Sequence, residues 1–125
     1  MDKIIFRGRR KDNGKWLYWN QYGEFTTKYG KVHEVVHKTL HGETHYYHVH
    51  QLKHLIDKET IGQYVGTLDK HRQPIFEGDH VRVDSLYGFV GKIIFVDGSF
   101  ELSDVEDPDV TEMLWYLPEE MEIVK

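Results

Sequence analysis

Residues 61–83, IGQYVGTLDKHRQPIFEGDHVRV, interrupt short β-branched and aromatic runs with Gly62, Gly66, Pro74 and Gly78. A small closed sheet must bend its strands sharply, and glycine serves at corners where a Cβ would clash. Gly62, Gly66 and Gly78, with Asp79 completing the Glu77-Gly78-Asp79 turn, are therefore expected as structural corners. Val65, Ile75, Phe76, Val81 and Val83 are expected to fill the interior. A phosphate-cradling loop would cluster its glycines at the opening of a helix. Here they lie between strands, which favours architecture.

The rest of the chain also repeats with period two, the signature of strands. Lys3–Arg9 reads as a first strand, and Asp12-Asn13-Gly14 contains Asn-Gly, the strongest two-residue hairpin signal. The chain returns along Lys15–Trp19, apolar on both faces. Lys31–Lys38 and Thr44–Leu52 read as strands flanking a turn at 41–43. Residues 53–60 read as a short helical turn or linker. Pro74–Phe76, His80–Asp84, Phe89–Val96 and Ser99–Leu102 read as further strands, the last two joined at Asp97-Gly98. Residues 103–112 form an acidic loop, Met113–Leu117 a short helix or strand, and Met121–Val124 a closing strand. Short strands with tight turns at intervals of about 8–12 residues indicate a sandwich or small barrel. The expected organisation is mainly β, with a β-rich N-terminal subdomain over 1–58 packed on a barrel subdomain over 59–125.

Composition excludes several classes. A chain of 125 residues, 14% aromatic, is not a disordered composition. No apolar run approaches the ~18 residues of a membrane helix, and the opening MDKIIFRGRRK is not expected to act as a secretory signal. The absence of cysteine removes disulfides, thiolate metal sites and cysteine nucleophiles, and fits a reducing cytoplasm. Net charge is −5, unevenly distributed: residues 1–58 carry 11 Lys/Arg against 6 Asp/Glu, and residues 97–125 carry 1 against 10. Such polarity can place one copy's basic region on another copy's acidic tail. It can equally leave two solvated faces of opposite sign.

Two blocks carry a family resemblance. One is Phe6-Arg7-Gly8-Arg9 followed by Asp12-Asn13-Gly14-Lys15-Trp16. The other is Ile61–Lys70 running into Pro74-Ile75-Phe76-Glu77-Gly78-Asp79-His80-Val81. The second closely resembles the glycine-rich signature of the YopX family, small proteins encoded by phages and prophages. Arg72, Gln73 and Pro74 depart from that pattern, and residues 20–60 match nothing in it. The resemblance implies an SH3-like barrel in the C-terminal half, a phage origin, and no established enzymatic activity, so it supplies no catalytic residues.

Serines 85, 99 and 103 lie outside any G-x-S-x-G context, so no catalytic residue is assigned and no enzyme is expected. The acidic run at 104–109 lacks the central glycine and closing glutamate of a calcium loop. Nine histidines include His41, His45, His48, His50 and His54, with His37 upstream. On a strand His48 and His50 would share a face and could bridge a metal. His50 and His54 would converge only on a helix, so the patterns compete, and no cofactor is expected. Arg7, Arg9, Arg10, Lys11 and Lys15 lie beside Trp16, Tyr18 and Trp19. Cations interleaved with aromatic platforms suit single-stranded nucleic acid, although the chain as a whole is acidic.

The resulting expectation is a non-catalytic binding or assembly module in the cytoplasm of a bacterial host. Its partners are a second copy and an unidentified protein, and no membrane is involved. Nucleic-acid binding through the basic-aromatic N-terminus and metal binding through the 41–54 histidines are the alternatives.

Overall fold

The computed structural model describes residues 4–30, 37–38, 44–45, 49–114 and 116–125. The protein is mainly β, and the described residues form two five-stranded antiparallel sheets and one two-stranded sheet. It divides into two compact units, Met1–Gln63 and Tyr64–Lys125. The division falls inside one long strand rather than at the 58/59 linker expected from composition.

In the first unit β1 (Ile5–Arg10) pairs antiparallel with β2 (Trp16–Asn20), and β2 with β3 (Phe25–Thr26). The register Phe6↔Trp19, Arg7↔Tyr18, Gly8↔Leu17, Arg9↔Trp16 sorts the hairpin into two faces. Phe6, Leu17 and Trp19 take the inner face and join Phe25 and Ile56 in a core. Trp19 stacks on Phe6 at 6.3 Å and meets Phe25 edge-on at 6.5 Å. The hairpin loop is longer than a two-residue Asn-Gly turn. It runs through residues 11–14, closed by Arg10 N donating to Lys15 O (2.9 Å) and Gly14 N to Arg10 O (3.0 Å). The Asn13 side chain caps Lys15 N at 2.9 Å, an Asx contact that competes with the tight turn.

Two short strands, β4 (His37–Lys38) and β5 (Thr44–His45), pair antiparallel. The strand expected to continue to Leu52 does not: Val49–Leu52 form α1. Val49 N donates to Gly23 O at 2.8 Å, and Val49 and Leu52 pack on the Trp19 core. A tertiary anchor thus overrides the β-branched local preference. A single 3-10 turn over 53–55 leads into β6 (Ile56–Leu68), so most of the proposed linker is strand. The β6 segment pairs with β1 through Arg7↔Gly62 and Arg9↔Asp57, with a register break between them. The surplus residues bulge, and Thr60 Oγ1 accepts the Arg9 N–H at 2.8 Å.

The second unit starts where β6 turns to pair with β7 (Pro74–Phe76). It continues through β8 (His80–Val83), β9 (Phe89–Val96), β10 (Ser99–Asp104), β11 (Thr111–Met113) and β12 (Met121–Val124), ordered β11-β10-β9-β8-β12. Ile75, Val81, Val83, Ile93, Leu102 and Met121 are fully buried in its core, with Val65 packed against them. The Asp97-Gly98 turn has both residues at positive φ (49° and 85°), as a type I′ hairpin requires. Met113 closes β11, and a 3-10 turn over 118–120 precedes β12. Among the described residues the strands do not form a closed barrel. Loop contacts instead tie the β6–β7 hairpin to the sheet. Lys70 N donates to Met121 O (2.8 Å), Gly78 N to Ile93 O (2.9 Å), and Ile93 N to Asp79 O (2.9 Å).

Candidate functional site

The outward face of the β1–β2 hairpin carries Arg7, Arg9, Trp16 and Tyr18, because cross-strand partners point to the same side. Both guanidinium groups lie over the Trp16 indole, Arg7 at 4.1 Å and Arg9 at 4.8 Å from its centroid. These are cation–π distances. The indole holds two long side chains in place, so much of their rotamer entropy is already lost on folding. Arg7 is only 8% exposed, and its role is to pack. Arg9, Lys11 and Lys15 are exposed, while Trp16 and Tyr18 are half-buried.

Arg10 turns away to its own partner. Its Nε and NH2 donate to the Asp12 carboxylate at 2.9 and 2.6 Å. The Arg10 hydrogen bond holds the Asp12 carboxyl below its ordinary value, with the guanidinium charge adding to it. Trp19, grouped with the surface residues on sequence, is instead a core residue at 8% exposure. Its alternation with Tyr18 puts it on the opposite face, so it is no platform. Asp57 lies across from Arg9 on β6, with its Oδ1 accepting Glu59 N–H at 3.1 Å.

The histidines do not assemble as strand geometry predicted. His50 lies in α1 and His54 in the following turn, both exposed, so the strand that was to align His48 with His50 is absent at 49–52. His41 and His48 fall outside the described residues. His37 and His45 are cross-strand partners in β4–β5. Among the described residues no three histidines or carboxylates are arranged to hold a metal ion.

The expected corners serve the backbone. Gly66 and Gly78 take left-handed φ values of 93° and 96°, where a side chain is strained. Gly62 sits within the ladder opposite Arg7, beside the register break. Asp79 Oδ2 accepts Phe76 N–H at 2.8 Å, closing the 77–79 turn.

A carboxylate that sequence reading overlooked does more. Asp69, 2% exposed, accepts N–H groups from His71 and Gln73 through Oδ1 (both 2.9 Å) and from Ile123 through Oδ2 (3.1 Å). An aspartate at a strand end before a turn is a local Asx signal. The Ile123 bond, across 54 residues, has none.

Two of the three serines make local hydrogen bonds. The Ser103 hydroxyl donates to Pro108 O at 3.0 Å and that of Ser99 to Val96 O at 3.3 Å, so neither is presented to a general base. No helix among the described residues is long and apolar enough to cross a membrane.

No curated protein matches the chain significantly. The family model described as YopX protein matches residues 5–124, nearly the whole chain. It spans both motif blocks and the strands they build, and the chain belongs to the YopX protein family.

Proposed function

We propose that the protein is a non-catalytic binding and assembly module, encoded by a phage or prophage and working in the cytoplasm of a bacterial host. The observation that carries this reading is where the family's motif residues go. Gly66, Gly78, Asp69 and Asp79 serve backbone turns, and Arg7 and Trp16 serve packing. These structural roles support a non-catalytic reading. The C-terminal unit is read as an open form of the SH3-like arrangement, a scaffold that commonly presents binding surfaces.

Self-association through charge polarity supplies the assembly. Exposed Arg9, Lys11 and Lys15 lie in the basic N-terminal region, and exposed Glu106, Asp107, Asp109 and Glu112 in the acidic C-terminal region. Complementary fields of this kind steer and orient association more than they tighten it. Mass by light scattering across a salt series tests this. An oligomer that falls to monomer as salt rises supports the reading. A salt-insensitive monomer at micromolar concentration removes it.

A further inference from the structure

We infer that the outward face of β1 and β2 is a binding site for single-stranded nucleic acid, beyond the self-association proposed above. Between Arg7 and Lys15 the chain carries five basic residues, Arg7, Arg9, Arg10, Lys11 and Lys15, against one acid, Asp12. That acid is already taken by Arg10, which leaves the cations of Arg9, Lys11 and Lys15 at the surface. On the neighbouring strand Asp57 lies across from Arg9.

Geometry favours a polynucleotide over an acidic peptide. Arg9 is held over the Trp16 indole at 4.8 Å, so its planar fork is presented with little ordering cost, in the form that meets a phosphate bidentately. Arg7 supports the indole alongside Arg9 and acts as a positioning residue. Tyr18 lies on the same face beside Trp16. A half-buried aromatic flanked by cations offers a sequence-tolerant stacking surface, since every base has a π-face. Carboxylates of a peptide would use the cations and gain nothing from a stacking surface.

Fluorescence anisotropy of a labelled oligothymidylate, titrated with the full chain between about 50 and 200 mM salt, reads the site directly. Binding is expected to weaken as salt rises. Arg9→Ala with Lys11→Ala and Lys15→Ala should lower affinity at least tenfold and reduce the log–log salt slope by about 2, at roughly 0.7 per cation on a single strand. Tyr18→Ala should weaken binding about fivefold or more, with Tyr18→Phe retaining it. An unchanged affinity in the triple variant overturns the inference, as does equal binding of a duplex and of the single strand. A wild-type chain that self-associates but never binds the oligonucleotide overturns this site and leaves the assembly reading standing.

Discussion

Gly8 lies directly against Ile56: a Cβ added to Gly8 would stand 2.6 Å from Ile56 Cγ2 and 3.1 Å from Trp19 Cη2. No real Cβ tolerates the first distance, so the packed core of the N-terminal unit requires glycine here. Gly8→Ala should therefore destabilise the protein by about 1–3 kcal/mol, the usual penalty for overpacking. Ile56→Ala in the same background removes the clashing methyl, so the double variant should cost less than the two single losses added together. Urea midpoints of the four proteins provide the cycle. Strict additivity would contradict the contact.

This contact also explains a motif that sequence reading took as basic surface. In Phe6-Arg7-Gly8-Arg9 the arginines face out onto Trp16 while Gly8 faces in beneath Ile56. Alternation along Trp16-Leu17-Tyr18-Trp19 separates two faces but does not say which is inside. That is decided by Phe25 and Ile56, which are distant in the chain. Alternation was enough for β8 with its buried Val81 and Val83, and the Asp-Gly pair was enough for the 97–98 turn. Alternation failed at α1, where Val49 and Leu52 are held by tertiary packing. The candidate face was legible as composition, while its geometry was not.

Asp69 joins three backbone donors from two segments distant in the chain, and removing its oxygens takes this acceptor from partly buried N–H groups. Asp69→Ala should cost on the order of 2–4 kcal/mol, since each such hydrogen bond is worth about 0.5–1.5 kcal/mol net. Asp69→Asn keeps one accepting oxygen and should fall between that variant and the parent. The ordering in thermal melts, parent above Asn above Ala, is the diagnostic result. Equal melting temperatures for Ala and parent would show that the carboxylate is dispensable.

Tyr87 ends the 84–86 turn in the left-handed region, at φ 56° and ψ 36°, with its side chain fully exposed. A residue with a Cβ costs about 1–2 kcal/mol there, and an exposed ring recovers none of it by packing. Tyr87→Gly relieves that strain, while glycine's greater unfolded-state freedom returns about 0.5–1 kcal/mol of cost. A net gain of about 0.5 kcal/mol is expected, read as a rise in Tm of about 2–4 °C. A fall in Tm would mean that the ring has a structural partner in solution.

Glu122 gathers the cations at the edge of the C-terminal sheet. His71 Nε2 lies 2.9 Å from Oε2, Arg82 donates to Oε1 at 2.9 Å, and Lys70 Nζ stands 3.7 Å from Oε2 while bonding Asp84 at 3.2 Å. The His71 hydrogen bond holds the Glu122 carboxyl below its ordinary value of 4.5; desolvation opposes it, and the charges of Lys70, His71 and Arg82 add to the lowering. Because the folded value is the lower one, the unfolded chain takes up this proton first as pH falls. The stabilisation is present in full above about pH 4.5 and is lost as pH drops through the folded value. Lys70 behaves in the opposite sense. Its value is raised above 10.5, mainly by the Asp84 hydrogen bond, so its contribution is present below that pH and is lost as pH rises through the folded value. Glu122→Gln should therefore flatten the acid limb of a Tm-against-pH curve while leaving neutral-pH folding intact. The difference from the parent should shrink in high salt, because the pairs are solvent-accessible. Parallel acid limbs at low salt would remove Glu122 as a source of the pH dependence.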